Sequence, residues 1–281
     1  MRGVLSNGSS APSEDCTDLR SDPEYARRAP DRNEGFRIGH AGGSTEARRG
    51  SSHYTRAMTC SIAERPRSIA EIWPPYGLVI RAGELTMTAL READVPEVVA
   101  LVEAGIHDPA VMPFSFPWTD APAEEVPGDY MRFFGRTLAA TGAGNAALEL
   151  VVRRGGEIVG LQALNGQDVR TTRRLESGSW LGLRFQRQGI GLAMRQAICT
   201  FAFDHLGLDV VTSGAWADNT ASLRISQRVG YRETGREQWQ RRGEPSEMVL
   251  LELLPEHFVP GPETVEVEGA EPLRRFLGLT D

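Results

Sequence analysis

Leu183-Arg184-Phe185-Gln186-Arg187-Gln188-Gly189-Ile190-Gly191-Leu192-Ala193 is the stretch on which the reading of this chain turns. Trp180, Leu181 and Leu183 are apolar and suit the end of a buried strand. After the stretch, Ile190, Met194, Ala197, Ile198 and Phe201 recur at helical spacing on one face. Gly207 is a natural stop for that helix. The loop from Gln186 to Gly191 is thereby placed at a helix N-terminus, where unpaired backbone N–H groups and the helix dipole attract anions. Gly189 and Gly191 lack a Cβ, so a phosphate can come close to the backbone. Two common phosphate loops are ruled out. The chain has no lysine, which a Walker loop requires. Met194 stands where a dinucleotide fingerprint needs its third glycine.

What remains is the pattern Gln/Arg-x-x-Gly-x-Gly/Ala, met by Gln186-Arg187-Gln188-Gly189-Ile190-Gly191. Downstream, Leu208 to Trp216 reads as the next strand. Asn219 suits a helix N-cap and Gly230 a helix stop. Asn219-Thr220-Ala221-Ser222 is an Asn-x-x-Ser element, and Gly230-Tyr231 follows it. Upstream, Leu175-Glu176-Ser177-Gly178-Ser179-Trp180-Leu181 leads into the loop. These three stretches, in this order, resemble the GNAT superfamily of N-acetyltransferases, and within it the RimJ/RimL-like branch. The resemblance covers roughly Glu84 to Leu254.

Composition fits one sizeable domain with tails. The chain has 281 residues, 40% hydrophobic and 25% charged. Residues 1–70 are rich in Ser, Gly, Pro, Arg and Asp without apolar periodicity, and are expected to be a disordered extension. The acetyltransferase domain is expected over 71–258 and a C-terminal tail over 259–281. The remainder from Glu71 carries 20 Arg against 29 acids, a balance that should repel nucleic acid. No apolar run is long enough for a membrane span, and no leader pattern opens the chain. A cytoplasmic protein is expected. Cys16, Cys60 and Cys199 form no metal or disulfide pattern, so no metal is expected, and Cys199 reads as a buried small residue.

Leu85 to Leu90 reads as a first strand, and Asp94 to Glu97 as a capping-box variant opening a helix. Pro109 to Pro127 is too rich in proline for regular helix. Its Phe114, Phe116 and Trp118 are candidates to line an acceptor cleft. Tyr130 to Ala140 is helical. Ala147–Val152 and Ile158–Leu164 flank a glycine turn and read as a hairpin. Tyr231–Gly235 and Glu247–Leu253 look like closing strands. The order is that of an α/β fold with a GNAT-like mixed central sheet flanked by helices.

The resemblance implies acetyl-CoA as cosubstrate and an amine acceptor, a protein N-terminus or a small amine. It leaves a homodimer open. It implies that the strand through Trp180, Leu181 and Leu183 pairs with the pantetheine arm, as in strand addition. A backbone N–H near Leu181 to Leu183 would polarise the thioester carbonyl. Gln186, Arg187, Gln188, Gly189, Ile190, Gly191, Leu192 and Ala193 would hold the pyrophosphate, with Asn219 nearby. Glu176 is the candidate general base, its pKa raised by partial burial. The alternative is a solvated strand carboxylate facing Arg173 or Arg174. Ser222 is the candidate partner of the leaving sulfur. Ser226 occupies the position where many members carry a tyrosine, which removes the usual phenol acid. A noncatalytic acyl-CoA-binding module of the same fold is the alternative function. His53, His107, His205 and His257 do not gather with these residues, and His40 lies in the extension.

Overall fold

The computed structural model describes residues 65–280, apart from Ala143. The expected disorder of 1–70 therefore falls mostly outside the described residues. So do Cys16, Cys60, His40 and His53. The boundary expected at Glu71 falls inside a first short helix, α1 (Ile69–Ile72), which opens with a true capping box between Ser68 and Glu71.

Nine strands form one sheet in the order β7-β8-β6-β5-β4-β3-β2-β1-β9. They are β1 (Val79–Ala82), β2 (Leu85–Ala89), β3 (Ala146–Arg154), β4 (Glu157–Gly166), β5 (Arg174–Leu181), β6 (Val210–Trp216), β7 (Arg232–Arg241), β8 (Glu244–Leu253) and β9 (Val265–Glu268). The remaining helices are α2 (Val95–Glu103), α3 (Val126–Ala140), α4 (Val169–Thr172), α5 (Ile190–Thr200), α6 (Thr220–Val229) and α7 (Ala270–Leu277). This is the expected mixed α/β sheet flanked by helices. Every pairing is antiparallel except β5 with β6.

Three local expectations change. Leu85–Ala89 is the second strand and not the first: Val79–Ala82 precede it as β1, joined to it by a tight turn through Gly83 at φ 56°. Residues 259–281 are not a tail. Within them β9 pairs along β1, and α7 carries the buried Leu273 and Leu277. Glutamates alternating with valines (Val265, Glu266, Val267, Glu268) suit an edge strand with one wet face. The capping box at Asp94 does not form, since Asp94 makes no side-chain cap. Its carboxylate instead accepts from the Arg91 N–H (2.9 Å) and from Arg153 (2.6 Å).

The registers sort side chains onto two faces, because successive side chains alternate. Leu175, Ser177, Ser179 and Leu181 of β5 share a face with Gln162 and Leu164 of β4. α5 packs there, burying Ile190, Met194, Ala197 and Ile198 as the helical spacing predicts. Glu176, Gly178 and Trp180 share the other face with Asn165 and Ala163, and through Ala163 with Glu149 of β3. Trp118 and the α3 residues Tyr130 and Phe134 cover part of that face.

Candidate active site

The β5–β6 pairing is short. Arg174, Leu175 and Glu176 pair with Val210, Val211 and Thr212, and the ladder stops there. Beyond this fork β6 pairs with β8 and β5 with β4, so the two strands part. Small polar residues line the opening. Ser213 Oγ donates to Ser177 O (3.0 Å) and Ser177 Oγ to Thr212 O (3.3 Å). Side chains thus satisfy carbonyls that the ladder no longer reaches.

The free edge of β5 follows from the ladder. Gly182 N–H donates to Val159 O and Leu183 N–H to Gly105 O, both at 3.0 Å. Paired residues alternate in an antiparallel ladder, so the backbone groups of Ser177, Ser179 and Leu181 point away from β4 and toward the fork. Gln186 Nε2 donating to Leu181 O (3.0 Å) agrees with this. Of the N–H groups expected to polarise a carbonyl, only that of Leu181 faces the fork.

The loop into α5 takes an unusual backbone path. Arg187 has φ 59° and Gly189 has φ 83°, left-handed conformations that turn successive N–H groups to one side. For an arginine that backbone costs on the order of 1 kcal/mol or more, and such outliers gather at functional sites. Leu192 and Ala193 N–H both donate to Gly189 O. Among the described residues, the N–H groups of Arg187, Gln188, Gly189, Ile190 and Gly191 donate to no protein acceptor. A Cβ on Gly191 would meet Ile225 Cδ1 at 3.2 Å, so glycine also lets α6 approach.

Other candidates are braces. Gln186 Nε2 is committed to Ile106 O (2.9 Å) as well as Leu181 O. Gln188 bonds Arg184 O and receives Arg154. Arg187 is exposed. The Leu181 side chain lies beside Gly191, whereas the exposed Leu183 turns to Gly105. Trp180 points to the opposite face, against Trp118 at 6.3 Å between rings.

Asn219 is the N-cap of α6, its Oδ1 accepting from the Ser222 N–H at 3.1 Å. Ser222 is half-buried. Ser226 is buried with its hydroxyl unpaired. Tyr231 reaches the closed end of the fork, its hydroxyl 2.8 Å from Ser177 Oγ and 3.5 Å from Cys199 Sγ. Burial pushes the Cys199 thiol up to about 11 and the Tyr231 phenol well above its ordinary range. Cys199 is thus the buried, unreactive residue its position suggested.

Glu176 stands on β5 where the fork opens. It stays open to water on one side, while crowding by the surrounding protein raises its carboxyl above the ordinary range. Arg174 pairs with Glu252 rather than with Glu176. Sequence reasoning missed two residues here. Glu149, on the same face, is pushed up to about 7 by burial, against a hydrogen bond from Asn165 that pulls it down. Arg195 of α5 is buried in the fork, donating to Ser179 Oγ (3.1 Å) and Ser213 Oγ (3.4 Å). The sequence signal for both was a charged residue inside an apolar run. Of the loop aromatics, Phe114 and Trp118 pack together at 5.2 Å, and Phe116 lies in solvent. His107 contacts Phe114 and Thr119, away from the fork. Among the described residues no cluster suits a metal ion, and no helix is long and apolar enough to cross a membrane.

A parallel strand pair that parts beside a glycine-bearing loop at a helix N-terminus is the geometry with which the family match has to agree. The chain belongs to the GNAT acetyltransferase family: residues 84–232 match the model for the acetyltransferase (GNAT) domain. One relative, named "Putative ribosomal N-acetyltransferase YdaF" from Bacillus subtilis (strain 168), is 31% identical over 81 residues, which are 29% of this chain and 44% of the relative. This chain therefore spans less than half of that relative's length. Among solved structures, Mycobacterium smegmatis RimJ in complex with CoA-disulfide has a TM-score of 0.56 at 19% identity, covering 72% of this chain and 94% of that one. RimL, the ribosomal L7/L12 alpha-N-protein acetyltransferase, in complex with coenzyme A has 0.53 at 19%, covering 63% and 97%. Spermidine N-acetyltransferase from Vibrio cholerae with CoA and spermine has 0.50 at 16%, covering 62% and 97%. At these identities the likeness is one of fold.

Proposed function

We propose that this chain is a cytoplasmic, acetyl-CoA-dependent N-acetyltransferase acting by direct transfer to a primary amine. The observation that carries the reading is the row of five N–H groups from Arg187 to Gly191 that meet no acceptor among the described residues, at the end of the free edge of β5. The row would hold the pyrophosphate. The exposed backbone groups of Ser179 and Leu181 would pair with the pantetheine amides.

Glu176 accepts a proton from the acceptor ammonium, directly or through water, and its raised pKa suits that task. The neutral nitrogen attacks the thioester carbon, the C–N bond forms and the C–S bond breaks. The leaving thiolate takes a proton, with Ser222 as donor or as anchor for a donating water. Asn219 fixes the turn that carries Ser222. The relatives' names span a ribosomal protein N-terminus and spermidine, and either type of amine fits the chemistry.

The noncatalytic reading draws on Ser226, buried where a phenol acid is expected. Calorimetric titration with acetyl-CoA, followed by thiol release with a panel of amines, separates the readings. Binding with turnover supports the enzyme, binding without turnover supports the module, and no binding overturns both.

A further inference from the structure

The sheet face opposite α5 carries a second carboxylate that the transfer chemistry above does not use. Glu149 lies across β4 from Gly178 through Ala163, and Asn165 lies directly opposite Glu176. All four project to one side. Asn165 is near enough to Glu149 to hold its carboxyl somewhat below where burial alone would push it. Neither Glu149 nor Glu176 makes an ion pair among the described residues, although the chain pairs many other acids with arginine.

A second observation points to a ligand. The Tyr130 hydroxyl is buried and has no hydrogen-bond partner, and it lies close enough to feel the charge of Glu149. A buried hydroxyl left unpaired costs on the order of 1 to 3 kcal/mol. Beside it Trp118 contacts both Tyr130 and Trp180, with ring centres 6.4 and 6.3 Å away. Aromatic faces next to unpaired carboxylates favour a cation with an apolar stem.

Resting on the acetyl-transfer reading, we propose that Glu149 and Glu176 form a two-carboxylate acceptor site selecting a small alkyl diamine, with one amine presented for acetylation near Glu176 and the second ammonium held by Glu149 and the Tyr130 hydroxyl. The spacing sets the length. Two strand spacings of about 4.8 Å and two residues of about 3.3 Å along the strand put the two Cα atoms about 12 Å apart. Two glutamate side chains reaching inward from Cα atoms that far apart leave room for a short alkyl chain between the nitrogens. Burial without a cation explains why the Glu149 carboxyl sits near 7, since a bound ammonium would favour its ionised form.

The test uses the full chain with acetyl-CoA and compares 1,4-diaminobutane, 1-aminobutane and a short peptide with a free N-terminus. The expected result is a kcat/KM preference for the diamine over the monoamine on the order of tenfold or more, the usual worth of a charge-assisted hydrogen bond. Glu149→Gln should erase that preference through KM while still acetylating the monoamine. Tyr130→Phe should raise KM for the diamine without loss of melting temperature. Equal rates for both amines, or a preference untouched by Glu149→Gln, would overturn the proposal, as would turnover of the peptide alone. If no amine reacts, the transfer reading fails instead. Calorimetry of the diamine with the CoA-saturated chain then decides the site: binding lost in Glu149→Gln upholds it, and absence of binding overturns it.

Discussion

Replacing Glu149 by Gln should stabilise the protein, and most at high pH. The carboxyl titrates near 7 in the fold against an ordinary value of 4.5, because burial disfavours its charged form. That gap, at about 1.4 kcal/mol per tenfold step, is about 3 kcal/mol. The side chain keeps some contact with water, so about 2 to 3 kcal/mol is the working figure. The sign follows from proton counts. Below 4.5 both folded and unfolded chains hold the proton, and Glu149 carries no penalty. Between 4.5 and 7 the unfolded chain has released it while the folded chain retains it, so stability falls as pH rises. Above 7 the penalty is complete. Glutamine keeps the shape and never ionises. The variant should therefore lead the wild type by about 5 to 10 °C in melting temperature at pH 8.5, at about 2 to 4 °C per kcal/mol for a domain of this size. Near pH 5 the lead should shrink to about a third of that, because most of the penalty has gone. Thermal melts of both proteins from pH 5 to 9 provide the measurement. A difference that stays flat with pH, or a wild type that gains on the variant as pH rises, would refute a buried, unpaired Glu149.

Gly191→Asp should weaken acetyl-CoA binding by more than about tenfold in calorimetry, since a carboxylate would oppose the phosphates at the helix N-terminus. Glu176→Gln should slow turnover by roughly 10²- to 10⁴-fold with acetyl-CoA affinity intact, and the acidic limb of the pH–rate profile should vanish. A variant with that limb unmoved would return Glu176 to an ordinary strand carboxylate. Ser222→Ala should slow the reaction while leaving the acidic limb in place, as read in the same pH series. Trp118→Ala should raise the acceptor KM at constant acetyl-CoA affinity, whereas lower stability with unchanged KM would make Trp118 a packing residue only.

The parts that were legible in the sequence carry strong local signals. The α5 face, the N-cap at Asn219 and the stop at Gly230, at φ 106°, each depend on a few neighbouring residues. So does the loop conformation, which Gly189 supplies by its positive φ. What was not legible depends on partners far away in the chain. Val79–Ala82 and Val265–Glu268 are four residues each and become strands only by pairing with one another. Proline and acidic residues around the latter suggested a tail, because an edge strand needs only one dry face. Glu149 stands in an alternating strand where a carboxylate ordinarily meets water. Tyr130 of α3, near enough to feel its charge, leaves it only half-exposed.

The fork itself explains Arg195, which sequence periodicity passed over as an incidental residue on α5. An isolated buried charge costs several kcal/mol, so its place must be specified by what surrounds it. Two strands that part leave a wedge of unsatisfied carbonyls and hydroxyls, and a helix rich in alanine and isoleucine has nothing to offer them. Arg195 supplies five donors in one side chain. It reaches Ser179 on one strand and Ser213 on the other, with the Tyr231 ring 5.8 Å from its guanidinium carbon. Ser213 in turn bonds Ser177 O, so the guanidinium ties both strands together just past the point where their ladder ends. Hydrophobic packing alone would have no reason to hold β5 and β6 apart at that point. The same helix whose first N–H groups stay open at its N-terminus thus also fixes, through Arg195, the width of the gap between β5 and β6.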